Sequence, residues 1–182
     1  VFYFRESAAE PARREREFTH TIMRVDPFMA MWKEESPERD TLAEYVGVRP
    51  EDAASWRAFL ERIFEASEKH RNVGTKQLQA YSRTLDFPAV ADADVAWRGA
   101  LAPEQVTVFQ NWVMNECFRL TDERGWPHQC HTGTHNLPDS NPLPLERVAP
   151  RYPRAQFVLL HCWPFLKEAG WLAKHHPNVY LD

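Results

Sequence analysis

The sequence predicts an α/β protein of the (β/α)8-barrel type, and three observations carry that prediction. Gln156-Phe-Val-Leu-Leu-His161 is continuously apolar over one strand length, as a parallel strand buried on both faces requires. The last three strand candidates are separated by helical segments with short joints, the βαβ order of a parallel sheet. His131 and His161 each close such a strand, at the end where barrels collect their working groups. The competing open, doubly wound sheet usually carries a glycine-rich first turn. Here the six glycines, at 47, 74, 99, 125, 133 and 170, form neither G-x-G-x-x-G nor a Walker loop. No serine stands in G-x-S-x-G, which removes the nucleophile elbow.

The elements follow in order, with residues 1–70 read as a mostly helical lead-in and 71–182 as βα units of one partial domain. Residues 5–18 are charged and interrupted by Pro11, and Thr21-Ile-Met-Arg-Val25 is a short apolar run ending at Asp26-Pro27. Ser36-Pro37-Glu38 reads as a helix cap, a first-position proline and a first-turn acid. Pro50-Glu51-Asp52 opens a stronger helix, whose Trp56, Phe59, Leu60, Ile63 and Phe64 recur at helical spacing. Val73–Leu78 reads as a short strand. Residues 102–124 form a long amphipathic helix with Val106, Phe109, Trp112, Val113, Cys117 and Leu120 on one side and Gly125 as its stop. Pro127–His131 is a strand, Leu143–Tyr152 a helix bounded by prolines, Phe165–His175 a helix, and Asn178–Asp182 a last strand.

Composition excludes several partners. The 182 residues carry 22 Lys and Arg against 26 Asp and Glu, a formal charge of −4, so there is no basic field for nucleic acid. At 43% hydrophobic, the chain can bury one real core. No apolar run approaches the roughly 20 residues that span a membrane. Val1-Phe-Tyr-Phe4 is too short for a signal segment and runs straight into Arg5 and Glu6. Cys117, Cys130 and Cys162 are odd in number and contain no C-x-x-C, which predicts unpaired thiols and a cytoplasmic location. A start at Val1 and a stop at Asp182 within a strand pattern predict an excerpt of a longer protein.

His131 and His161 lie one βαβ unit apart, so neighbouring strands would bring their backbones to ~5 Å. Two imidazoles at adjacent strand mouths suit one metal ion or one bound water, and neutral imidazole is a good zinc ligand. The bland alternative is a pair of hydrogen-bonded rim residues. Gly133, in His131-Thr-Gly-Thr-His135-Asn, permits a sharp departure from the strand. Lys76 ends an earlier strand, where it could be a shifted base, a charge partner for substrate, or an ordinary rim lysine. Trp163, beside His161, is placed in a pocket wall. His128-x-x-His131 and His131-x-x-x-His135 lack an H-E-x-x-H helix. His175-His176 sits at a helix end as a cap, and Cys130 points away from His131 across the strand.

Five blocks in order resemble one family: Lys76-Gln-Leu-Gln-Ala-Tyr-Ser-Arg-Thr-Leu85, His131-Thr-Gly-Thr-His-Asn136, and Pro142 with Leu145. The others are Arg151-Tyr-Pro with Phe157-Val-Leu-Leu-His161, and Leu172-Ala-Lys through Pro177-Asn-Val-Tyr-Leu-Asp182. Together they look like the amidohydrolase-related branch of the amidohydrolase superfamily, closely over residues 70–182 and loosely over 1–70. The resemblance implies a barrel in which His131 ends the fifth strand as a metal ligand. His161, ending the sixth, would bind a second metal or orient the attacking water. It places Lys76 at the fourth strand, where some members carry a carbamylated bridging lysine. Tyr81 and Arg83 fall just after that strand as substrate contacts, Arg83 as a carboxylate partner. The first-strand His-x-His is missing, since only His20 and His70 precede Lys76, and the eighth-strand aspartate would lie beyond Asp182. A barrel of typically ~250 residues does not fit in this length, so the chain is expected to hold only the middle and late strands and not to complete a metal site alone.

The implied function is a metal-dependent hydrolase, with a divalent metal (zinc the expected ion) activating water for attack on a carbonyl-type carbon. A non-oxidative decarboxylase on the same scaffold and a catalytically inactive interaction module are the alternatives. The implied partner is a small, carboxylated molecule, and the open sheet edge left by missing strands is compatible with a homo-oligomer.

Overall fold

Five strands pair in chain order: β1 (Thr21–Arg24), β2 (Asn72–Gln77), β3 (Pro127–His131), β4 (Gln156–Leu160) and β5 (Val179–Leu181). Every neighbouring pair is parallel. The computed structural model describes residues 20–134 and 136–182, so the readings for residues 5–18 and for His135 lie outside the described residues. Among the described residues four helices link the strands: α1 (Pro37–Val46), α2 (Ala53–Lys69), α3 (Pro103–Arg124) and α4 (Leu166–His175). This is the α/β, (β/α)-barrel architecture in incomplete form, with β1 and β5 as its two edges among the described residues.

Local chemistry sets the helix limits. Ser36 Oγ accepts from the Arg39 N–H at 3.3 Å, with Pro37 in the first turn of α1. Asp52 accepts from Ser55 N at 2.8 Å, while Ser55 Oγ accepts from Asp52 N at 2.9 Å, closing a capping box on α2. Gly125, left-handed at φ 61°, ends α3 as expected.

Two segments differ from the sequence expectation. The lead-in is not only helical, because Thr21–Arg24 pairs with β2 as a strand. Leu143–Tyr152 does not form an α-helix: it breaks into 3₁₀ turns at Leu143–Arg147 and Ala149–Arg151. Pro144 and Pro150 each lack the N–H that a continuous helix needs.

The register sorts the sheet into two faces. One row, Met23, Thr75, His128, Phe157 and Val179, is buried under the helices. Phe118 of α3 seals it, edge-on to His128 and Phe157 at 5.0 and 5.6 Å. The fully buried stripe of α2, from Trp56 to Phe64, belongs to the same core, and each such side chain contributes about 1.5–3 kcal/mol. The next row, Arg24, Lys76, Gln129, Val158 and Tyr180, looks the other way and is only half-buried to exposed. That face is the inside of the barrel arc. No helix among the described residues is long and apolar enough to cross a membrane.

Candidate functional site

The C-terminal ends of β3 and β4 bring two imidazoles together. His131 is the last residue of β3, and His161 follows the end of β4. Their ring centroids stand 4.9 Å apart, edge to face at 69°. His131 is 5% exposed, whereas His161 opens to solvent. Tyr81, in the 3₁₀ turn after β2, stacks on the His131 ring at 4.4 Å and 25°. Thr134 Oγ1 lies 3.2 Å from His131 Nε2. His131 is thereby fixed on three sides, and His161 is the accessible partner.

Strand alternation explains the placement. His131 follows Gln129 by two residues and so shares its face with the half-buried row of Lys76. Cys130 faces the helices instead, where its sulfur accepts from Gln77 Nε2 at 3.1 Å. Burial in that layer pushes the Cys130 thiol up to about 12 and the His128 imidazole down to about 3. His128 accordingly belongs to the core, with Nδ1 on Thr75 Oγ1 at 2.7 Å.

The remaining expected site residues are distributed unevenly. Lys76 lies on the open face, in register with Arg24 and Gln129, and its side chain makes no ion pair among the described residues. Trp163 is 67% exposed and Tyr81 47% exposed, both on loops at the same end of the sheet as the histidines. Arg83 is turned elsewhere. Its guanidinium donates to Gln110 at 3.0 Å, Asn111 at 2.7 Å and the Asp86 carbonyl at 2.8 Å, and lies 4.7 Å from the Phe87 ring. Desolvation lowers its pKa to about 10, against the opposing pull of Asp86 and Asp139. The structure thus brings His131, His161 and Tyr81 into direct contact and fixes Arg83 to α3.

Arg24 was not singled out by sequence reasoning, yet its position beside Lys76 puts a second cation on the inner face, paired to Asp26. The only sequence signal was a basic residue alternating with apolar Met23 and Val25. The backbone of His161 and Cys162, left-handed at φ 71° and 59°, had no sequence signal at all.

Two imidazoles are the right donors for zinc and supply part of a catalytic set, which takes three protein ligands. No group of three or more His, Cys, Asp or Glu side chains among the described residues converges to hold a metal. The donors present therefore fit a divalent metal as a two-histidine half-site.

Comparison with known proteins agrees with this fold. Protein fluG of Emericella nidulans is 49% identical over 148 residues, covering 69% of this chain and 17% of that protein. The chain thus spans under a fifth of the length of the curated relative it matches. A Lactobacillus casei protein described as a metal-dependent hydrolase superposes with a TM-score of 0.65 at 23% identity, over 90% of this chain and 43% of its own. Uronate isomerase from Thermotoga maritima superposes with a TM-score of 0.70 at 17% identity, over 93% of this chain and 45% of its own. Both likenesses carry the fold. The sequence pattern of the family described as amidohydrolase matches residues 87–182, which include His131 and His161 but not Lys76, Tyr81 or Arg83. On that match over more than half its length, the chain belongs to the amidohydrolase family.

Proposed function

We propose that this chain supplies the two-histidine side of the active site of a metal-dependent hydrolase acting on a small, carboxylated substrate. The observation that carries the reading is the meeting of the His131 and His161 rings at 4.9 Å, at the end of the sheet where barrel enzymes work. Zinc is the ion assigned, from the imidazole donors. Bound there, a divalent ion would supply Lewis acidity toward a water and a substrate carbonyl oxygen.

The chain's own residues divide the remaining work. His131, buried and braced by Tyr81 and Thr134, is suited to hold a ligand position without moving. His161, exposed on the mouth, is suited to orient the attacking water and to pass a proton between it and substrate. Lys76, without an ion-pair partner among the described residues, offers a charge to the substrate anion. Tyr81, stacked on His131, and Trp163, exposed at the same end of the sheet, offer apolar surface to the substrate. Arg83 is assigned to holding the loop after β2 against α3, because its donors are engaged there. Three free, buried cysteines support a cytoplasmic setting.

The test is metal content and turnover of the intact protein, measured together. His131→Ala should lose both metal and most activity, whereas His161→Ala should lose activity with the smaller loss of metal. Turnover on carboxylated lactones and amides should consume water; release of CO₂ instead would assign a decarboxylase. Wild-type protein that takes up no metal after equilibration with zinc and turns nothing over would overturn the enzyme reading in favour of an interaction module.

A further inference from the structure

The strand ladder between β3 and β4 ends at the pair His131–Leu160, yet the two chains do not part there. The Leu160 carbonyl accepts from Thr132 N at 3.3 Å, from Thr132 Oγ1 at 2.8 Å and from Cys162 N at 2.9 Å. The Cys162 thiol donates to the Leu159 carbonyl at 3.3 Å. One step further, Thr134 N donates to the Trp163 carbonyl at 3.0 Å. Gly133 lies so close to that carbonyl that a Cβ on it would collide with the oxygen.

The backbone is in an unusual state on both sides of this contact. Gly133, Thr134, His161 and Cys162 have φ of 64°, 70°, 71° and 59°. Three of these carry side chains, for which the left-handed region is unfavourable and persists only where the surroundings impose it. His161 and Cys162 centre two successive three-residue turns, closed by Cys162 N to Leu160 O and by Trp163 N to His161 O at 2.7 Å. The carbonyls that flank these turns, of Leu160 and Trp163, are the ones that accept from Thr132 and Thr134.

We infer that Thr132 and Gly133 are positioning residues, forming a clasp beyond the strand ends that presents His131 and His161 as a fixed pair. The inference rests on the hydrolase reading for its purpose, though not for its geometry. Thr132 is fully buried and provides the clasp's side-chain donor to a backbone carbonyl, while Gly133 provides the space in which the two loops touch. Every bond of the clasp lies within three residues of one of the two histidines. A tether needed only to join β3 to β4 would not have to follow a five-pair ladder with strained backbone.

The test uses the intact protein, with metal removed for the first measurement. Thr132→Val keeps the branched shape and deletes the donor, and Thr132→Ser restores it. Histidine-selective NMR reads the ring-to-ring contact, zinc titration reads the affinity, and thermal unfolding controls for the fold. Thr132→Val should keep its midpoint within a few degrees and lose the ring contact. Its zinc affinity should fall about tenfold or more, with Thr132→Ser within about twofold of wild type. Gly133→Ala should show the same loss more strongly, and if it fails to fold, the two Thr132 variants decide. Retention of the ring contact in Thr132→Val, or equal loss in Val and Ser, would overturn the clasp. Wild-type protein that shows the ring contact but binds no zinc would instead sink the hydrolase reading, and Thr132→Val would still decide the clasp.

Discussion

Arg57 grips Asp92 with two hydrogen bonds, Nη1 to Oδ2 at 2.8 Å and Nη2 to Oδ1 at 2.6 Å. Asp92 also accepts from Trp112 Nε1 at 2.8 Å, and Arg57 Nε donates to Glu116 at 3.0 Å. One carboxylate therefore ties the segment between β2 and α3 to both α2 and α3. Arg57 first, and then the Trp112 indole, lower the Asp92 carboxyl to about 2.

A carboxyl held below its unfolded value stabilises the fold above that value and ceases to do so as pH falls through the folded one. For Asp92 the window runs from about pH 4 down to about pH 2. Asp92→Asn keeps an acceptor for Trp112 but removes the charge. Its urea midpoint should therefore fall less steeply than wild type across that window. At neutral pH the loss should stay below about 1 kcal/mol, because both partners are partly exposed and water screens the pair. Identical acid limbs for the two proteins would remove the pair from the account of stability.

His128 makes the opposite kind of pH argument, from burial alone. Its ring is sealed by Phe118 and Phe157, and Nε2 has no hydrogen-bond partner. Desolvation lowers its pKa to about 3, so the folded protein keeps it neutral where the unfolded chain takes up a proton. Stability should then fall as pH drops below about 6.5, by up to about 1.4 kcal/mol per pH unit, until the folded ring titrates. His128→Leu should flatten that slope by nearly one proton in urea titrations between pH 6.5 and 4. An unchanged slope would show that the folded ring takes up its proton over the same range as the unfolded one, and would remove His128 from the acid dependence.

The strands that are readable from sequence are the ones whose burial is written into their own residues. Phe157–Leu160 is apolar throughout, with Phe157, Leu159 and Leu160 buried and Val158 half-buried, and it forms a strand as expected. Thr21–Arg24 has no such signature. It is four residues long, buries only Met23 fully, and becomes a strand through its pairing with β2. Leu143–Tyr152 has helical spacing, but its prolines break the hydrogen-bond ladder that spacing alone cannot report. At the site, the convergence of His131 and His161 was legible because each ends a strand at the same edge of the sheet. The direction of Arg83 was not, because four of its five N–H donors are claimed by Gln110, Asn111 and two carbonyls that are distant or featureless in sequence. Nor could spacing reveal that Tyr81 would lie flat on His131, since a 3₁₀ turn at Gln79–Tyr81 sets that angle.

That stack yields the last prediction. Tyr81 covers the His131 ring at 4.4 Å, nearly parallel, while Thr134 meets the ring nitrogen from another side. Ring pairs of this kind contribute about 0.5–1.5 kcal/mol beyond the area they bury. If His131 is the braced ligand of the pair, removing the stack should let its ring rotate and loosen the site without unfolding the protein. Tyr81→Leu should weaken zinc binding to the intact protein by up to about tenfold. Tyr81→Phe, which keeps the flat ring, should bind close to wild type. Both variants should melt near the wild-type temperature, because Tyr81 is half exposed and contributes little to the core. Competitive zinc titration beside thermal unfolding separates the outcomes. A loss in Phe equal to that in Leu would shift the role from the ring to the hydroxyl, and no loss in either would leave His131 held by Thr134 and its own strand.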